Sequence, residues 1–211
     1  CGTHIPSQQT CRDFKSFVPL NDIELILCIA DVSGKGVSGA LLVSTLHASL
    51  KAYSKYSVDL KEIVINLNKL IMEISTADKF ITLFMAKYNK NESLFDYVNA
   101  GHNPPFLMKM NSGVHRLKSR GISIGVIDFD YEVKSIHLEK GDLLVLITDG
   151  ITETVNHEKV MYGDERLINL IKEYHSDTSC LIQDHILNSL NSFRGSEDAK
   201  DDLSLLIVKK N

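Results

Sequence analysis

Residues Ile23-Glu24-Leu25-Ile26-Leu27-Cys28-Ile29-Ala30 run into Asp31-Val32-Ser33-Gly34-Lys35-Gly36-Val37-Ser38-Gly39, and this stretch decides how the chain is read. The first eight form an almost unbroken apolar run. It is too short for a helix and rich in branched side chains, so it reads as a buried strand. An acid stands where the run stops. The glycine-rich stretch that follows reads as a turn. Ala40–Tyr56 then resumes with Leu41, Leu42, Thr45, Leu46 and Leu50 at helical spacing. Asp59 is placed to cap a second helix, with Ile63, Leu67, Leu70 and Ile71 on one face.

Further along, the period changes. Phe80–Tyr88 and Leu94–Asn99 read as strands joined by a turn at Asn89–Glu92. Phe106–Met110 and Val114–Leu117 form another expected hairpin. Tyr131–Leu138 and Leu143–Thr148 read as two more strands, with Gly141–Asp142 turning between them. Upstream, Phe14–Leu20 is a short candidate strand. Arg166–Tyr174 and Thr178–Phe193 are helical, and Leu203–Lys209 closes as a strand. Strands and helices come in clusters rather than in strict alternation, which predicts layered α+β architecture. There are no repeats and no low-complexity linker.

Composition narrows the function. The chain has 211 residues, 44% hydrophobic and 24% charged, with 23 Lys plus Arg against 27 Asp plus Glu. That length suits one large domain or two small ones. A net charge of −4 does not favour general nucleic-acid binding. The longest apolar runs fall far short of the ~20 residues that span a bilayer. Four cysteines, Cys1, Cys11, Cys28 and Cys180, form no CxxC pair, so a cysteine zinc site is not expected. No Arg stands six residues after any of them, which excludes a Cys-x5-Arg phosphatase loop. Scattered thiols of this kind suit a reducing cytoplasm. No signal peptide is visible. The chain begins with Cys rather than Met, so it is expected to be a domain cut from a longer protein.

Acids recur where apolar runs begin or end: Asp13 before Phe14, Asp31 after Ala30, Asp149 after Leu143–Thr148, and Asp201 and Asp202 before Leu203. Acids also commonly start turns. Carboxylates brought together from several strand ends, however, would repel unless a cation joined them, and hard oxygen donors suit Mg²⁺ or Mn²⁺. Gly34, Gly36 and Gly39 make a literal GxGxxG. A dinucleotide site is rejected because Asp31 occupies the strand end, the segment before Asp59 is not a second strand, and no alternating βα pattern follows. The glycines more simply let backbone pass close to a metal or phosphate.

Taken together, the motifs resemble the metal-dependent (PPM, type 2C) protein phosphatases in their bacterial SpoIIE-like, RsbU-like branch. Asp31-Val32-Ser33-Gly34-Lys35-Gly36 is similar to that branch's DVSGKG segment, and Asn99-Ala100-Gly101-His102-Asn103-Pro104-Pro105 to its NAGHNPP segment. Gly121–Gly125 resembles its GxxLG turn, Thr148-Asp149-Gly150-Ile151-Thr152-Glu153 its TDGxxE segment, Tyr162–Leu167 its FGxxRL helix start, and Asp201-Asp202-Leu203-Ser204 its DDxT terminus. The likeness covers essentially the whole chain in the right order.

This resemblance implies a four-layer αββα sandwich of two antiparallel β-sheets flanked by helix pairs, formed by residues 1–211 as the C-terminal output domain of a longer sensor protein. It implies a protein serine/threonine phosphatase with two Mn²⁺ or Mg²⁺ ions, attacking phosphoserine with a metal-activated water. Asp31 would bridge the metals, Val32 would offer its carbonyl, and Asp149 and Asp201, with Asp202 beside it, would bind one ion. Asp13 would stand near the other. The implied substrate is a phosphorylated STAS-domain anti-sigma factor antagonist in the cytoplasm, and the implied controller is an upstream sensor domain acting on the Ala40–Ser75 helix pair. No nucleic-acid or membrane contact is implied for the domain itself.

The family's usual GGDxxD start is replaced here by Cys11-Arg12-Asp13-Phe14-Lys15-Ser16. Arg12 would compete with metal charge, clamp the substrate phosphate bidentately, or simply stand solvated at the surface. The alternative reading is a catalytically impaired, phosphatase-like module that binds a partner. It is opposed by the retention of Asp13, Asp31, Asp149 and Asp201. His102 is a candidate general acid by residue type alone, and a structural role in its turn is the simpler expectation.

Overall fold

A computed structural model describes residues 1–7, 12–34, 36–76 and 78–211. Cys11 and Lys35, both singled out above, lie outside these. The chain divides into two compact units. One comprises residues 1–9, 103–117 and 139–211; the other comprises 10–102 and 118–138.

The second unit is built on the decisive run. β2 (Asp13–Pro19), β3 (Glu24–Val32), β4 (Ile81–Asn89), β5 (Leu94–Ala100) and β8 (Lys134–His137) form one antiparallel sheet in that order. Ile26, Leu27, Cys28, Ile29 and Ala30 are all essentially inaccessible, so β3 is buried on both faces and its run is continuous rather than alternating. One face packs against α1 (Val37–Tyr56) and α2 (Leu60–Ile74), where Leu46, Leu50, Ile63, Leu67 and Ile71 meet Ile26, Cys28, Leu83 and Met85. The Asp59 carboxylate accepts hydrogen bonds from the amides of Lys61 (2.8 Å) and Glu62 (3.3 Å), capping α2 as expected. α1 starts three residues before Ala40 because Gly36, at φ 77°, turns the chain into it. Leu41 faces solvent; Leu42, Leu46 and Leu50 carry the buried stripe.

The first unit holds β1 (Gly2–Ile5), β6 (Phe106–Lys109), β7 (Gly113–Arg116), β9 (Leu143–Ile147) and β10 (Leu203–Lys209), in the antiparallel order β1-β10-β9-β6-β7. α4 (Gly163–Tyr174) and α5 (Ser179–Arg194) cover it through Leu167, Ile171, Ile182 and Ile186 against Val145, Ile147, Leu205 and Ile207. A short α3 (Asp149–Glu153) follows β9 directly. The α+β class and the two antiparallel sheets with helix pairs are as expected.

Three details differ. β1 and α3 were not expected, and the strand expected over 131–138 shrinks to Lys134–His137. Tyr131 instead plugs the core as one of its largest fully buried side chains. The expectation of scattered thiols is corrected at one pair: Cys1 and Cys180 are joined as a disulfide with their Cα atoms 5.2 Å apart. A separation of 179 residues conceals such a pair from any spacing rule. Cys28 is a buried free thiol. Among the described residues no helix is long and apolar enough to cross a membrane.

In the chain-entropy account a cross-link closing so long a loop contributes about 5 kcal/mol. Under non-reducing conditions Cys180→Ser is therefore expected to melt several degrees below wild type, and differential scanning calorimetry in dithiothreitol should show the gap closing.

Candidate active site

The acids were expected at strand ends, and the fold puts them there in two pairs, one in each unit. In the second unit, Asp13 opens β2 and lies directly opposite Asp31 near the end of β3. Asp13 is 5% exposed and Asp31 is half-buried. The neighbouring Val32 amide donates to the Arg12 carbonyl at 3.2 Å, which holds the two strand ends in register. Like charges directly opposed in an antiparallel ladder are destabilising on their own. On the far side, Asp31 pairs with Thr82.

The turn after Asp31 is fixed by reciprocal bonds. The Ser33 amide donates to the Phe80 carbonyl (2.9 Å), and the Phe80 amide donates to Ser33 Oγ (2.7 Å). Gly34 has φ 96°, and a Cβ there would collide with the Lys79 ammonium, so Lys79 lies folded over the turn. Lys79, whose ammonium also stands 3.8 Å from Asp78 Oδ2, is a cation beside this turn that sequence reasoning missed. Its sole signal was its place before Phe80, which suggests nothing without the fold. Arg12 is half-buried, with its stem against Gly39.

In the first unit the end of β9 is locked to the start of β10. The Thr148 amide donates to the Ser204 carbonyl (3.1 Å), and the Ser204 amide donates to Thr148 Oγ1 (3.0 Å). Asp149 thus begins α3 close to Asp201. Gly150 packs so tightly on the Asp202 backbone that a Cβ would strike the Asp202 carbonyl oxygen. The two carboxylates reach Glu153, one turn along: partial burial, then the charges of Asp149 and Asp201, push its carboxyl above the usual range. Glu153 was quoted only as part of a motif, and its participation shows only once α3 turns it back.

Asp202 stands differently from its neighbour. It is 1% exposed, and its Oδ1 accepts from the Ser7 amide (2.8 Å) and Ser7 Oγ (3.0 Å). It braces the segment after β1, while Asp201 is the member of the pair that stands with Asp149 and Glu153. His102 is likewise buried, at 5% exposure. Its amide donates to Asn99 Oδ1 (2.8 Å), its carbonyl accepts from Asn99 Nδ2 (3.0 Å), and its Nδ1 lies 2.9 Å from Thr82 Oγ1. These bonds close the turn after β5.

Among the described residues no three or more His, Cys, Asp or Glu side chains are gathered as a metal cage. What the chain offers is paired carboxylates. Such a donor set fits a hard divalent cation that keeps several waters, as Mg²⁺ does, and the opposed Asp13–Asp31 charges would be relieved by one.

The profile of the Stage II sporulation protein E (SpoIIE) family matches residues 21–211. The chain belongs to the SpoIIE family. It is 31% identical over 211 residues to the phosphoserine phosphatase RsbU of Bacillus subtilis, covering 98% of this chain and 61% of RsbU, so it spans less than two thirds of that relative. Among solved structures, the SiaA-PP2C domain of Pseudomonas aeruginosa superposes with a TM-score of 0.88 at 17% identity, over 100% of this chain and 86% of that one. RsbX in complex with magnesium gives 0.74 at 19% identity, over 98% and 92%. The fold is that of PP2C phosphatase domains.

Asn99→Ala removes both bonds to His102 and leaves buried backbone groups unsatisfied. It should cost about 2 kcal/mol, read as a lower urea midpoint with unchanged slope.

Proposed function

We propose that residues 1–211 form the catalytic output domain of a metal-dependent protein serine/threonine phosphatase. The observation that carries this reading is the directly opposed Asp13–Asp31 pair at the strand ends of a SpoIIE-family chain. Asp13, Asp31, Asp149 and Asp201 are the proposed metal-binding carboxylates, with Val32 contributing its backbone carbonyl. Mn²⁺ or Mg²⁺, two ions, is the proposed cofactor; magnesium in RsbX supports the choice of a hard cation. When bound, such ions supply an activated water and positive charge for the phosphoryl oxygens.

The chain's own residues do the rest. Strand ends hold the carboxylates on rigid backbone, so little reorganisation is needed when substrate arrives. The Gly34 turn leaves room where a side chain would obstruct. Arg12 and Lys79 flank that turn, and Arg12 is the proposed phosphate clamp, its planar fork matching two phosphoryl oxygens. With no Cys-x5-Arg loop in the sequence, direct hydrolysis without a phosphoenzyme is the simpler route.

The proposed substrate is phosphoserine on a STAS-type anti-sigma factor antagonist, and the proposed controller is a sensor domain elsewhere in a longer protein. Both rest on the likeness to RsbU. The proposed compartment is the cytoplasm, where the Cys1–Cys180 bond would stand against the usual reducing poise.

Turnover of an aryl phosphate and of a phosphoserine STAS protein should require Mn²⁺ and stop with chelator. Asp31→Asn and Asp149→Asn should each lower it at least 100-fold while preserving the melting temperature. Metal binding by calorimetry without turnover of either substrate would point to an enzyme held off for want of its upstream domain. Absence of both would remove the phosphatase reading in favour of a module that binds its partner.

A further inference from the structure

A cavity of about 230 Å³ opens in the first unit between α3 and the segment that leads from α5 to β10. Gly150 and Glu153 line one side and Asp201 another, so it borders the proposed metal edge without being part of it. Its size is below the ~300–1,000 Å³ that encloses a whole small molecule and suits one side chain.

The lining is chemically divided: three acids, Glu153, Asp198 and Asp201, share it with two cations. Glu153 and Asp201 lie toward the metal edge. Arg194 and Lys200 also line the cavity, and Val155 and Met161 form an apolar wall. That wall is closed by an antiparallel bridge between Val155 and Met161, and Met161 is 57% exposed at its lip. Arg194 is the last residue of α5. Its Nη2 donates to Asn191 Oδ1 at 3.1 Å, its Nε is buried without a hydrogen-bond partner, and it makes no ion pair among the described residues. A guanidinium is built for bidentate pairing with a carboxylate, and Arg194 pairs with none of the three acids in its cavity, so it keeps recognition capacity to spare.

The geometry points to a specificity subsite: this cavity receives an acidic side chain flanking the phosphoserine, anchored by Arg194 and seconded by Lys200. The wall of Val155 and Met161 covers the methylene stem, and the pliable thioether adapts to it. Neither cation is ion-paired with the neighbouring Asp198, so Arg194 is left for the flanking carboxylate while the phosphate occupies the metal edge. The inference rests on the phosphatase reading above and adds the sequence context it selects.

The test is steady-state kinetics with Mn²⁺ on phosphoserine peptides carrying Glu, Gln or Lys at each position within three residues of the phosphoserine. An aryl phosphate reports on the chemistry alone. At one position the wild-type protein should favour Glu over Gln about 10-fold in kcat/KM, mostly through KM, the scale of one charged hydrogen bond. Arg194→Gln should collapse that ratio to near one, and Arg194→Glu should invert it in favour of Lys. A structural role for Arg194 would not produce that inversion. A ratio near one at every position in wild type, or an unchanged ratio in Arg194→Gln, overturns the subsite. So does turnover of the aryl phosphate with no peptide hydrolysed, which leaves the phosphatase reading standing. Failure on every substrate overturns the subsite, and where metal binding is absent too it removes the phosphatase reading as well.

Discussion

Two carboxylates facing each other across a β ladder are an electrostatic liability, and the Asp13–Asp31 pair is the constraint around which the second unit is arranged. The strands that carry it cannot part to relieve the repulsion. β3 is buried on both faces, and the bond from the Val32 amide to the Arg12 carbonyl ties the ends together. Helices α1 and α2 press on one face of the same sheet. The core therefore holds the two strand ends in place. The first unit repeats the device by other means: the Thr148–Ser204 bonds bring Asp149 and Asp201 near enough for both to act on Glu153.

Much of this was legible in the sequence because it is local. The β3 run, the Asp59 cap and the β10 run state their structure within a few residues, and β10 spans the expected Leu203–Lys209. The acids were legible because each stands at the end of an apolar run. What escaped depends on distant partners. β1 has only four residues and becomes a strand because β10 pairs with it. The Cys1–Cys180 bond, the two bonds from Ser7 to Asp202 and the Lys79 ammonium over Gly34 all join residues far apart in the chain. The two aspartates at 201 and 202 look equivalent in sequence. Only the fold separates the brace from the member that stands with Asp149.

The glycines tell a similar story. A GxGxxG spelling suggested a nucleotide loop, yet the structure uses its members individually. Gly34 clears space under Lys79, Gly36 turns the chain into α1, and Gly39 is buried inside the first turns of that helix. Spelling alone could not distinguish these uses, because the property they share is only the lack of a side chain.

The pairing of β1 with β10 has a consequence for the order of events at the ribosome. His4 meets Ser204 across 200 residues of chain, so an early-emerging segment has no sheet partner until nearly the last strand is made. The sheet of the second unit is complete once β8 has emerged, well before β10. Synthesis thus favours a vectorial sequence in which one half consolidates first and β1 waits, exposed, for a late arrival. Such long-range closure is the slow step expected of high contact order.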